Sequence, residues 1–185
     1  MASQIKVNEI IKQSGSSISI GESGDTINIP SGATFNVAGS SVTAVDNTPY
    51  FIAGKGGSQT SVSDNAYTQV TYVTEVADSG DNYASSTFTA PSAGKYFFSA
   101  NVTITPNSGN AIQTVLQFYK NGSGLDDYRA TLITEGMEIA QQQLVISGLI
   151  SLAASDTVKV YAKMNTDSGN ATFADGQFSG FKIIG

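Results

Sequence analysis

Cysteine, histidine and tryptophan are all absent from this chain of 185 residues. Without cysteine there is no disulfide framework, no thiol nucleophile and no thiolate metal site. Without histidine the side chain best matched to proton transfer near neutral pH is missing, and histidine-ligated zinc goes with it. Charge is scarce too. Charged residues make up 13%, about half the usual ~25%, so Ser, Thr, Asn, Gln and Gly must cover the surface. Nine basic residues face fifteen acidic ones, for a net charge of −6. The basic residues form no run, which argues against a nucleic-acid partner, since phosphate backbones need clustered Lys and Arg. No apolar stretch reaches the ~18 residues of a membrane span. Met1 to Lys12 carries Lys6, Glu9 and Lys12 and no continuous apolar core, so it does not read as a secretory signal. Proline is rare, four against nineteen glycines, which indicates many turns rather than a disordered linker.

What remains is a strand pattern. From Lys95, the residues Tyr96, Phe98, Ala100, Val102 and Ile104 share one parity, and Ser99, Asn101, Thr103 and Thr105 share the other. Period-two alternation of this length marks a half-buried strand. Pro106 to Asn110 breaks it with turn formers. Ile112 to Lys120 is the next strand, closed by the tight-turn signal Asn121-Gly122. Leu144, Ile146, Gly148, Ile150 and Leu152 alternate again. Val158 to Ala162 and Phe178 to Ile184 complete the set, with Gln69 to Thr74 and Thr87 to Thr89 as earlier strands. No window carries a helical stripe; Glu135 to Gln143 reads as a loop leading into a strand. Short strands separated by Gly, Asn, Asp and Ser turns predict an all-β antiparallel sandwich.

The first 46 residues have another texture. Apolar pairs recur at Ile18 and Ile20, Ile27 and Ile29, Phe35 and Val37, each followed shortly by Gly or Pro. This is a degenerate repeat of eight or nine residues. One pair contributes on the order of 3–6 kcal/mol at roughly 1.5–3 kcal/mol per buried aliphatic side chain. Ordering eight residues costs about 1–2 kcal/mol each. A single copy should not hold itself together. Three chains wound about one axis would bury the same side chains, so the expectation is a trimeric β shaft over residues 15–46, with a flexible tail as the alternative. In the C-terminal part, Phe178, Phe181, Ile183 and Ile184 place apolar groups on both faces of the last strand. A second apolar face calls for a partner or for a central position in the sandwich.

Residues 50–185 resemble the globular head shared by complement component q and the tumour necrosis factor superfamily. Phe88-Thr89-Ala90-Pro91-Ser92-Ala93-Gly94-Lys95-Tyr96-Phe97-Phe98-Ser99 is the most specific stretch. Phe51-Ile52-Ala53, Tyr67 to Val70, Leu116 to Gly122, Gly148 to Leu152 and Phe178 to Phe181 follow the same family in order. The resemblance implies a jelly-roll head over residues 47–185 and a homotrimer whose closing strand faces the threefold axis. Ser3 to Ile10 and Gly24 to Val37, with Asp25-Thr26-Ile27-Asn28-Ile29-Pro30-Ser31-Gly32-Ala33-Thr34, resemble the start of tailed-bacteriophage fibre and appendage proteins. That implies a virion-anchoring segment over residues 1–14, with Ile5, Val7, Ile10 and Ile11 gripping a capsid or tail protein. The combined expectation is a non-enzymatic capsid decoration protein or short fibre, assembled in the host cytoplasm and exposed on the particle. A tail fibre for host attachment and, more remotely, a polysaccharide depolymerase are the alternatives.

Sites for chemistry are few. Asp78-Ser79-Gly80-Asp81-Asn82 and Asp167-Ser168-Gly169-Asn170 set oxygen atoms around a Gly turn, but neither has a full calcium-loop spacing. Asx turns are the expectation, calcium the alternative, and no other cofactor is implied. Asp126, Asp127, Glu135 and Glu138 offer no defined carboxylate pair for glycoside cleavage. Gly54-Lys55-Gly56-Gly57-Ser58 lacks phosphate-loop spacing. Asn101, Asn121 and Asn170 open glycosylation patterns that, with no secretory route, should stay unmodified. Tyr83, Tyr119 and Tyr128 are the candidates for contact with a host glycan or protein, set against a packing role. No membrane insertion is expected.

Overall fold

A computed structural model describes residues 20, 22–28, 30–33, 47–135, 138 and 140–183. The chain divides into two compact units, Met1–Val42 and Thr43–Gly185.

The second unit holds twelve strands: β1 Tyr50–Gly54, β2 Gln59–Val62, β3 Thr68–Gln69, β4 Thr74–Asp78, β5 Tyr83–Ala84, β6 Thr87–Thr89, β7 Gly94–Pro106, β8 Ala111–Lys120, β9 Ser123–Ile133, β10 Gln142–Leu152, β11 Thr157–Thr166 and β12 Ala171–Lys182. They form two antiparallel sheets. Sheet I runs β10-β7-β12-β1-β4, with β2 also paired to β12. Sheet II runs β5-β6-β11-β8-β9, with β3 also paired to β11. From β6 onward every connection except the β8–β9 hairpin carries the chain to the other sheet. The result is a jelly-roll sandwich, the all-β class that the alternation predicted.

The core is aromatic. Phe51 stacks on Tyr83 at 4.7 Å and on Phe88 at 5.1 Å, and meets the Phe178 edge at 4.8 Å. Phe98 and Phe118 extend the cluster towards β7 and β8. Each such pair adds about 0.5–1.5 kcal/mol beyond the area it buries. Two strand expectations change. Gln69 to Thr74 is not one strand: β3 ends at Gln69, the chain crosses between sheets, and β4 starts at Thr74. Burial drives the crossing, because Val70 and Tyr72 are both fully buried in the core. β9 has no strong alternation in the sequence, since most of its residues are exposed at the edge of sheet II.

In the first unit the described residues form turns. Asp25 N donates to Glu22 O at 3.1 Å, and Ala33 N donates to Pro30 O at 3.0 Å. Gly24 (φ 99°) and Gly32 (φ 87°) take the left-handed position of each turn. The turns recur eight positions apart, the period of the sequence repeat. Ile20 and Ile27 are 67% and 58% exposed in the single chain. Ile18, Ile29, Phe35 and Val37, and the anchor residues Ile5, Val7, Ile10 and Ile11, lie outside the described residues, as does Ile184.

Candidate functional site

The two outward faces of the sandwich differ in chemistry. On sheet I the register builds rows across four strands. Leu149, Phe97, Phe181 and Tyr50 form one row, from β10 through β7 and β12 to β1. Ser147, Ser99, Ser179 and Ile52 form the next, and Val145, Asn101, Gln177 and Gly54 a third. None of these positions is charged. The first row is apolar and open: Leu149 is 50% exposed, Tyr50 42% and Phe181 36%. Phe97 and Phe181 touch, with ring centroids 5.5 Å apart. A depression of about 190 Å³ lies among Tyr50, Ile52, Phe97, Ser179 and Phe181. The water-facing side of an antiparallel sheet is normally polar, and depletion of charge is the compositional mark of an interface centre.

The outward face of sheet II carries tyrosine and cations. Lys159, Tyr161 and Lys163 alternate along β11 with the buried Val158, Val160 and Ala162, so all three point outward. Tyr161 stacks on Tyr119 of β8 at 4.0 Å, and Tyr67 lies 6.0 Å from Tyr119. The Lys163 ammonium sits 5.3 Å from the Tyr67 ring centroid. Partial burial, then the neighbouring Tyr67, Tyr161 and Asp126, push the Tyr119 hydroxyl pKa up. Among the described residues the ion pairs are Lys120–Asp156 at 2.8 Å and Arg129–Asp126 at 3.1 Å. Lys159 and Lys163 are in neither.

Sequence reasoning placed some residues well and others not. Phe178 and Phe181 are three positions apart, so they face opposite ways. Phe178 is fully buried core, whereas Phe181 belongs to the open row of sheet I. Ile183 is half-buried, and its N–H donates to Lys95 O at 2.8 Å. Tyr83 is not a surface contact. It is 6% exposed, stacked on Phe51, and its hydroxyl donates to Tyr72 O at 2.8 Å. Tyr128 is tied down as well. Its hydroxyl donates to Leu149 O, and its ring covers Gly148, where a Cβ would strike it. It clips edge strand β9 to edge strand β10. Tyr119 does reach the outer face. Its partners Tyr67 and Tyr161 were missed as contact residues. The signal was present for Tyr161 in the alternation Lys-Val-Tyr-Ala-Lys.

The remaining polar groups are structural. Lys55 is 4% exposed, with its ammonium donating to Gly57 O and Thr71 Oγ1, both at 3.2 Å. Burial lowers its pKa. Asp78 Oδ2 accepts from Tyr83 N five positions on, and Asp167 Oδ1 accepts from Asn110 N in a different loop, both at 2.8 Å, so neither bond is the local Asx turn that was expected. Hydrogen bonds from Lys120 and Asn121 hold the Asp156 carboxyl down to about 2. Among the described residues no three acidic side chains converge as a metal cluster.

The fold and its faces define a jelly-roll sandwich with three uncharged rows on one outward face and a lysine- and tyrosine-bearing patch on the other. Among solved structures the chain is similar to the globular domain of zebrafish complement 1qA protein, with 19% identity and a TM-score of 0.49, covering 74% of this chain and 98% of that one. No family model matches the chain, and no curated protein does.

Proposed function

We propose that this chain is a homotrimeric, non-enzymatic adhesive protein of a bacteriophage virion, a capsid decoration or short fibre. In this reading the sandwich is the outward head and the N-terminal residues grip the particle. The observation that carries the trimer is the run of three uncharged rows on the outward face of sheet I, with the open row Leu149, Phe97, Phe181 and Tyr50; Lys95 enters only in the row beyond. Covering one such side chain fully contributes roughly 1.5–3 kcal/mol, and three copies meeting around an axis cover all three rows. Sheet II then faces solvent, where its tyrosines and lysines are available to a host surface. The virion location is supported by the N-terminal repeat and its likeness to phage appendages. Three equivalent heads per trimer and many trimers per particle supply avidity without a strong single contact.

Light scattering tests the association, with an expected mass near three chains at micromolar concentration. A monomer would end the trimer reading. Deletion of residues 1–46 tests the anchor: the truncated protein should still form trimers but no longer join the particle. Normal incorporation of the truncated chain would refute that assignment.

A further inference from the structure

We infer that the outward face of sheet II binds an acidic, carboxylate-bearing polysaccharide across Tyr67, Tyr119 and Tyr161, with Lys159 and Lys163 taking its charge. The inference rests on the adhesive-head reading and supplies the ligand class that reading lacks. The core does not require these tyrosines. They stand outside the buried cluster, with Tyr67 39% exposed. A stacked pair at 4.0 Å with a third ring 6.0 Å away, tilted 56° to Tyr119, makes a contiguous aromatic wall on the outer face. The C–H face of a sugar ring packs on such a wall while its hydroxyls remain hydrated, and binding sites in general combine aromatic walls with a few placed polar groups.

Charge selects the kind of polysaccharide. The chain as a whole carries −6, yet Lys159 and Lys163 flank Tyr161 on this face and have no carboxylate partner among the described residues. Four residues of strand separate them by about 13 Å, so two anionic groups along one extended chain can be met with the tyrosine between. Each lysine stem lies half-buried along the sheet, which reduces the rotamer freedom lost on binding. Nucleic acid would also stack and pair with cations. However, two unpartnered lysines on an acidic chain are far short of the phosphate neutralisation such binding needs. A protein partner would need an apolar centre, and Val115, the aliphatic residue paired into this patch opposite Lys163, is only 3% exposed.

The test uses the chain of 185 residues in native gels containing alginate, polysialic acid, neutral dextran or single-stranded DNA. Retardation is expected with at least one of the two carboxylated polymers and not with dextran, and it should weaken with added salt. Lys159→Gln with Lys163→Gln, and separately Tyr161→Ala, should each weaken it tenfold or more while the melting temperature stays near that of the parent. The chain has no Trp and eight Tyr, so tyrosine emission gives a second readout. It should change on binding, and that change should shrink in Tyr119→Ala. Retardation by neither carboxylated polymer, equal retardation by dextran or by single-stranded DNA, or unaltered binding in the folded variants overturns the proposal. Light scattering on the same samples separates the two readings. A monomer that binds through these residues upholds the site and removes the trimer, whereas a trimer that ignores both carboxylated polymers removes the site alone.

Discussion

At the scale of single residues, the core has almost no slack. Gly180 sits in β12 where an added Cβ would fall onto the Phe98 ring and crowd Phe51. Gly180→Ala should therefore destabilise by about 1–3 kcal/mol, the usual cost of overpacking, and a denaturant titration will show it as a lower midpoint. The buried tyrosines make an alkaline prediction. Burial raises Tyr83 to about 12, and raises Tyr72 further, from an ordinary 10.0. Between pH 10 and about 12 the unfolded chain loses these protons while the folded one keeps them. Stability from this source is whole below pH 10 and is lost as pH climbs through that window. Melting temperature should fall over the window, and Tyr83→Phe should make the fall shallower by one titrating group. An identical slope in the variant would contradict the buried placement of Tyr83.

At the scale of elements, two loops of nearly the same sequence lock together. Asn107-Ser108-Gly109-Asn110 follows β7, and Asp167-Ser168-Gly169-Asn170 follows β11. Asn107 N donates to Asn170 O at 2.8 Å, Asp167 N donates to Asn110 O at 3.0 Å, and Thr172 Oγ1 donates to Asn107 Oδ1 at 2.7 Å. Gly109 (φ 71°) is left-handed, and a Cβ there would meet both Asp167 and Ser168. Gly109→Ala combines backbone strain with a clash, so a loss of about 1–3 kcal/mol is expected. Hydrogen exchange should show faster opening at this pair of loops than elsewhere in the sandwich. The run of Asp, Ser, Gly and Asn was expected to form an Asx turn, with calcium as the alternative. The Asp167 oxygens accept from Asn110 of the facing loop, a partner 57 positions away that spacing alone cannot reveal.

At the scale of the whole molecule, the proposed trimer commits sheet I to face its neighbours. Phe181→Asp places a charge in the centre of the open row on sheet I without touching the core. It should convert trimers to monomers in light scattering while leaving the melting temperature of the head nearly unchanged at matched low concentration. A variant that stays trimeric would put the association face elsewhere. Leu149→Asp, on the same row but on edge strand β10, should weaken the trimer less.

Alternation in β7, β10, β11 and β12 was legible because period-two patterning is local: each side chain's face follows from its own φ and ψ. That was enough for an all-β sandwich, for the ends of β7 and β8 at Pro106 to Asn110 and Asn121-Gly122, and for Phe98 on the apolar parity of β7. Tertiary structure alone decided what each outward face meets. Leu149, Phe97, Phe181 and Tyr50 come from four distant strands, and only the register sets them side by side. Tyr67, Tyr119 and Tyr161 likewise meet only because β11 pairs with both β3 and β8. Tyr83 stayed open between surface contact and packing because its two-residue strand carries no readable period. The stacking of Phe51 against it, from a strand thirty residues earlier, is what takes it inside.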